Sequence, residues 1–92
     1  MNYKPLPKEL HLGFSDIHDI GLFAKEKIPV GTNFGMTHLQ FGKTTIRTPL
    51  GGFINHSENP NCFIVVETEF SRMYTVRPIM QGEELTVYYT GY

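Results

Sequence analysis

Ninety-two residues, 40% of them hydrophobic and 13% aromatic, suit one small domain (residues 1–92) with a thin core. Nine acidic against eight basic side chains leave a formal charge of −1, so nothing in the balance favours a polyanion, and no direct nucleic-acid binding is expected. The single cysteine, Cys62, excludes an internal disulfide and a cysteine-built zinc site; the four histidines (His11, His18, His38, His56) show no pair at metal-ligand spacing, and no metal is expected.

The segment from Met1 to Leu10 lacks an apolar signal-peptide core and carries Pro5 and Pro7, and no apolar run approaches membrane-spanning length, so a soluble intracellular protein is expected. Beyond it, aromatic and β-branched residues recur in short runs separated by Gly and Pro. The runs predict strands at Leu10–Phe14, Gly21–Ala24, Thr32–Met36, Thr44–Arg47, Phe63–Glu67, Arg72–Val76 and Leu85–Tyr88. No segment holds helical apolar periodicity over three turns. One helical turn is predicted at Thr48-Pro49-Leu50, with threonine as N-cap and proline in first position. Met80-Gln81-Gly82 reads as a turn. The fold class is therefore mainly β: several small twisted sheets with little helix.

Two stretches are unlike the rest. Phe53-Ile54-Asn55-His56-Ser57-Glu58-Asn59-Pro60-Asn61-Cys62 is a polar loop set between Gly51-Gly52 and the apolar run Phe63–Val66. Asn-Pro marks a turn, and a polar loop seated on a buried strand is a common way to hold a site. On the residues alone, the loop reads first as an ordinary turn whose Asn and Ser cap their own backbone. Gly82-Glu83-Glu84-Leu85-Thr86-Val87-Tyr88-Tyr89 closes the chain, with Glu83 and Glu84 read as a charge pair of which at least one is solvated.

Asn-His-Ser-x-x-Pro-Asn-Cys followed by Gly-Glu-Glu-Leu-Thr-x-x-Tyr resembles the paired signature of SET-domain lysine methyltransferases, and Gly21–Thr32 resembles that family's N-terminal block. The blocks fall in the family's order and span most of the chain. Zinc-binding cysteine flanks are absent and the stretch between Met36 and Pro49 is short, so the chain resembles the small viral-type members reduced to the catalytic core; for such a member the intracellular setting would be the host cell. The resemblance implies a knot-like crossing in which the C-terminal segment passes beneath the Asn-His loop.

It also implies S-adenosylmethionine as cofactor and methyl transfer to a lysine of a protein substrate. Residue by residue, Tyr89 matches the tyrosine whose hydroxyl lies near methyl donor and amine. Asn55 and His56 match the motif that contacts the cofactor. Ile20, Gly21 and Leu22 match the glycine-containing turn at its amino-acid end, and Tyr92 matches an aromatic that stacks on the adenine or closes the channel. The family turn is usually Gly-x-Gly; Asp19 stands at its first position here and adds a negative charge. The alternative is a non-catalytic module that keeps the fold and recognises a peptide or the cofactor without turnover.

Two partner expectations follow. From Glu58 onward five acids face two bases, so a basic, lysine-containing segment is the expected substrate. A thin core carrying seven Phe and five Tyr leaves apolar groups and strand edges to cover, so a homodimer is expected, in contact through Tyr88–Tyr92 and Leu39-Gln40-Phe41.

Overall fold

The structure is a computed structural model in which residues 6–88 are described. Eight strands and one short helix follow in the order β1 (Leu10–Phe14), β2 (Ile20–Ala24), β3 (Asn33–Phe41), β4 (Thr44–Arg47), α1 (Pro49–Phe53), β5 (Asn55–His56), β6 (Cys62–Val66), β7 (Phe70–Thr75) and β8 (Glu84–Val87). They form two four-stranded sheets, ordered β1-β2-β8-β5 and β4-β3-β7-β6. All pairings are antiparallel except β5 with β8, which is parallel. No helix among the described residues is long and apolar enough to cross a membrane.

The apolar runs become strands because alternate side chains reach a shared core. In β7 the alternation is strict: Ser71, Met73 and Thr75 are buried while Phe70, Arg72 and Tyr74 are half-exposed. In β8 it is lost, with Leu85, Thr86 and Val87 all buried, because β2 and β5 flank the strand and the loop before β6 covers it. Leu22, Leu85, Val87, Ile28, Ile79 and Met73 lie at the centre of the core. Ile28 and Ile79 exchange reciprocal main-chain bonds, each 2.8 Å, tying the chain after β2 to the chain before β8.

The expected strands are all present, β1 and β4 with the expected bounds and the other five with shifted ends. β3 runs five residues past the expected Met36, carried through bulges at Asn33/Gly35 and Met36/His38. The second bulge buries Thr37 and His38 in succession, against the strand period, and turns the Thr37 carbonyl toward α1. That carbonyl accepts from Thr48 N at 2.9 Å and from Thr48 Oγ1 at 3.2 Å. Thr48 caps α1 as expected, with Pro49 opening it. Gly51 then passes so close to β3 that a Cβ there would lie 2.2 Å from the Thr37 oxygen. This docking aims the chain so that Asn55 and His56 pair with Thr86 and Val87. β5, absent from the sequence expectation, exists only through that partner.

The loop from Ser57 to Asn61 then holds β8 from a second direction. Ser57 N donates to Val87 O at 2.9 Å, and the Asn61 amide bonds the main chain at Glu84 and Thr86. β8 therefore lies between β2 and the Asn-His loop.

Candidate active site

The site assembles at the tip of the β1–β2 hairpin. Its loop closes with Ser15 N donating to Asp19 O at 2.9 Å. Asp19 takes a left-handed φ of 37°, which aspartate tolerates better than most residues. Its carboxylate stands in solvent, 86% exposed and 3.6 Å from His18 Nδ1. The Ser15 hydroxyl oxygen accepts from Ile17 N (2.9 Å) and His18 N (3.3 Å), a serine turn that fixes the oxygen in place.

Glu84 reaches this hydroxyl from β8. Ser15 O–H lies 2.8 Å from both Glu84 carboxylate oxygens. From the other side, Asn55 Nδ2 donates toward Glu84 Oε2 at 2.9 Å, Ser15 Oγ at 3.1 Å, His18 O at 3.2 Å and Ile20 O at 3.3 Å. One amide nitrogen carries two hydrogens, yet four oxygens surround it, so the pocket holds more acceptors than its own donors satisfy. Among the described residues no hydrogen bond reaches Asn55 Oδ1, and no cation lies within ion-pair distance of Glu84.

Gly21 is required by space. A Cβ there would lie 2.2 Å from Glu84 Oε2 and 3.0 Å from Asn55 Nδ2. The glycine thus makes room for a carboxylate, where a turn was the obvious reading. Ile20 contributes its carbonyl while its side chain is 41% exposed. Leu22 sends its side chain wholly into the core opposite Leu85, leaving the site only its main chain. His56 is exposed beside Asn55, its ring 4.9 Å from that of Tyr88, which is half-exposed rather than in the core. Tyr89 and Tyr92 lie outside the described residues.

The two glutamates separate in role. Glu83 pairs with Arg77 and accepts from Met80 N at 3.0 Å. The Arg77 hydrogen bond, against a smaller opposing effect of burial, holds its carboxyl down at about 2. Glu84 belongs to the site. Sequence reading missed both Ser15 and Glu84. For Glu84 the available signal was the strand alternation that puts it on one face of β8 with Thr86; Ser15, a lone loop serine, offered none. Among the described residues no group of three or more His, Cys, Asp or Glu is placed to hold a metal.

With this geometry in hand, three comparisons bear on the chain. The family profile of the SET domain matches residues 37–90. The chain is 31% identical, over 94% of its length, to the histone-lysine N-methyltransferase, H3 lysine-4 specific, of Schizosaccharomyces pombe, and spans 13% of that relative's length. Its fold superposes with a TM-score of 0.74 on a Plasmodium falciparum protein assigned to the histone methyltransferases, at 18% identity, covering 94% of this chain and 96% of that one. The methyltransferase domain of human PR domain-containing protein 2 gives the same TM-score, 0.74, at 24% identity, covering 95% and 80%. At these identities the two structures show the fold.

Proposed function

This chain belongs to the SET-domain family, and from that premise we propose that it transfers a methyl group from S-adenosylmethionine to the side-chain amine of a lysine in a protein substrate. The observation that carries the reading is the convergence of three separated sequence blocks on one acceptor-rich pocket: the glycine turn (Ile20, Gly21), the Asn-His motif (Asn55) and the Glu-Glu-Leu-Thr motif (Glu84).

The chemistry of that pocket suits the cofactor. Four oxygens around Asn55 Nδ2, and an Asn55 Oδ1 that accepts no hydrogen bond among the described residues, match a ligand that carries N–H donors. When bound, S-adenosylmethionine supplies an electrophilic methyl group on a sulfonium. The chain's part is to bind, orient and exclude water. Asn55 Oδ1 and the carbonyls of His18 and Ile20 accept from the ligand, and Glu84 holds the Asn55 amide from behind. The His56 and Tyr88 rings pack together, with centroids 4.9 Å apart. Tyr89 is assigned to the target amine and Tyr92 to the adenine or channel, both by their places in the motif alone. An apolar channel beside a cation disfavours the ammonium form of lysine, whose ordinary value is about 10.4. Holding donor and amine in line supplies much of the rate.

The expected substrate is a basic, lysine-containing segment. Glu67 and Glu83 spend their charges on Arg72 and Arg77 and Glu84 is held in the pocket, which leaves Glu58 and Glu69 to attract it. The homodimer belongs to the same proposal. Met36, Phe41 and Ile46 on the β3–β4 hairpin are 47%, 59% and 47% exposed, and a second copy would cover them. Light scattering at micromolar concentration checks it; a one-chain mass at every concentration excludes the dimer.

The test of activity is transfer of labelled methyl to a lysine peptide library, by wild type and Tyr89→Phe. Labelled peptide, with turnover reduced far more than cofactor affinity in the variant, supports the role given to Tyr89. Cofactor binding with no transfer to any peptide supports the non-catalytic module instead.

A further inference from the structure

Which way an asparagine amide faces is decided by its neighbours. All four groups around Asn55 Nδ2 present lone pairs, which forces the nitrogen inward and the oxygen outward. Two of the four, the carbonyls of His18 and Ile20, are the longer contacts, at 3.2 and 3.3 Å. The other two depend on Glu84. Its carboxylate makes the shortest contact to the amide, 2.9 Å, and is the only charged one. It also draws the Ser15 proton, at 2.8 Å, so that the hydroxyl shows Asn55 a lone pair instead of a hydrogen. Glu84 is itself held: its carbonyl accepts from the buried Asn61 amide at 2.8 Å, and its carboxylate fits because Gly21 has no Cβ.

We propose that Glu84 is a positioning residue: it fixes the orientation of the Asn55 amide, both directly and through Ser15, so that Asn55 Oδ1 is presented to the N–H donors of the cofactor. This rests on the reading of the pocket as the cofactor's seat. Neutral glutamine at position 84 has nearly the same shape but offers an amide hydrogen as readily as a lone pair. It releases the Ser15 proton and permits Asn55 to turn over, which presents the wrong atom to the ligand.

The experiment compares wild type, Glu84→Gln, Asn55→Ala and the double variant by two readouts. The first is hydrogen exchange of the Asn55 side-chain amide in the free protein, followed by nuclear magnetic resonance. The second is affinity for S-adenosylmethionine by calorimetry. The expected result is an amide exchanging roughly tenfold or more faster in Glu84→Gln, with a circular dichroism spectrum like wild type. Affinity should fall about tenfold in the wild-type background and by less than about twofold in the Asn55→Ala background, because Glu84 acts through Asn55. Unchanged amide exchange, or an equal loss of affinity in both backgrounds, overturns the proposal. If Glu84→Gln does not fold, Ser15→Ala replaces it in both readouts with the same expected directions. If wild type binds no S-adenosylmethionine, the reading of the pocket fails, and the exchange measurement alone still decides whether Glu84 orients Asn55.

Discussion

Asn61 and Thr86 are bonded to each other twice: Thr86 N donates to Asn61 Oδ1 at 2.8 Å, and Asn61 N donates to Thr86 Oγ1 at 3.4 Å. Asn61 Nδ2 donates in addition to Glu84 O at 2.8 Å. One side chain thus stands in for a strand neighbour of β8. It is 2% exposed and its two bonds to Thr86 are buried, so that pair has no water as an alternative. Asn61→Ala leaves the Thr86 N–H and one acceptor site on the Glu84 carbonyl unmet. A loss of about 2–4 kcal/mol in urea unfolding is expected, at about 1–3 kcal/mol for each buried unsatisfied group. A loss below about 0.5 kcal/mol would show that the clasp is dispensable.

Gly21→Ala pits a methyl group against the Glu84 carboxylate, and something must shift. Overpacking of this kind costs about 1–3 kcal/mol. Combining it with Glu84→Ala removes the clash, so the two losses should be clearly less than additive. Additive losses in the unfolding free energies would place the obstacle elsewhere.

Glu83 gives the stability a definite pH dependence. Its carboxyl sits at about 2 in the fold against an ordinary 4.5, chiefly through the Arg77 hydrogen bond. Between those values the unfolded chain binds more protons than the folded one, so stability rises with pH across that window. The contribution is complete above about 4.5 and is lost as pH falls toward 2. Because the pair is partly exposed, the effect is small. Glu83→Gln should flatten this part of the stability profile; an unchanged slope in acid unfolding curves would assign it to other carboxylates.

Cys62 is buried, and its thiol is pushed up to about 12 by that burial, with Arg77 pulling the other way and Glu83 adding to the rise. A thiol-specific reagent at neutral pH should leave the folded protein unmodified and label it stoichiometrically in denaturant. Fast labelling of the native protein would contradict the packing of β6.

Much of the strand layout was legible because aromatic and β-branched residues recur in short runs between Gly and Pro, and Thr48-Pro49 announces its helix by capping chemistry alone. Two elements were hidden for different physical reasons. β3 continues past Met36 through a bulge that breaks the period, so its second half did not read as strand. β5 is two polar residues whose strand geometry comes only from β8, more than thirty positions away in sequence. The site was legible at Asn55 and Gly21 through motif resemblance, whereas the reason for Gly21 was not: it is glycine because Glu84 needs its space. Ser15 was invisible because a lone loop serine carries no signal until the fold brings Glu84 to it.

The central claim is that the pocket of Gly21, Asn55 and Glu84 seats the methyl donor, and calorimetric titration of wild type and Asn55→Ala with S-adenosylmethionine tests it most directly. The expected result is one molecule bound per wild-type chain, with affinity at least about tenfold weaker in Asn55→Ala and an unchanged circular dichroism spectrum. No binding by the wild type, or equal binding by a folded Asn55→Ala, would contradict it.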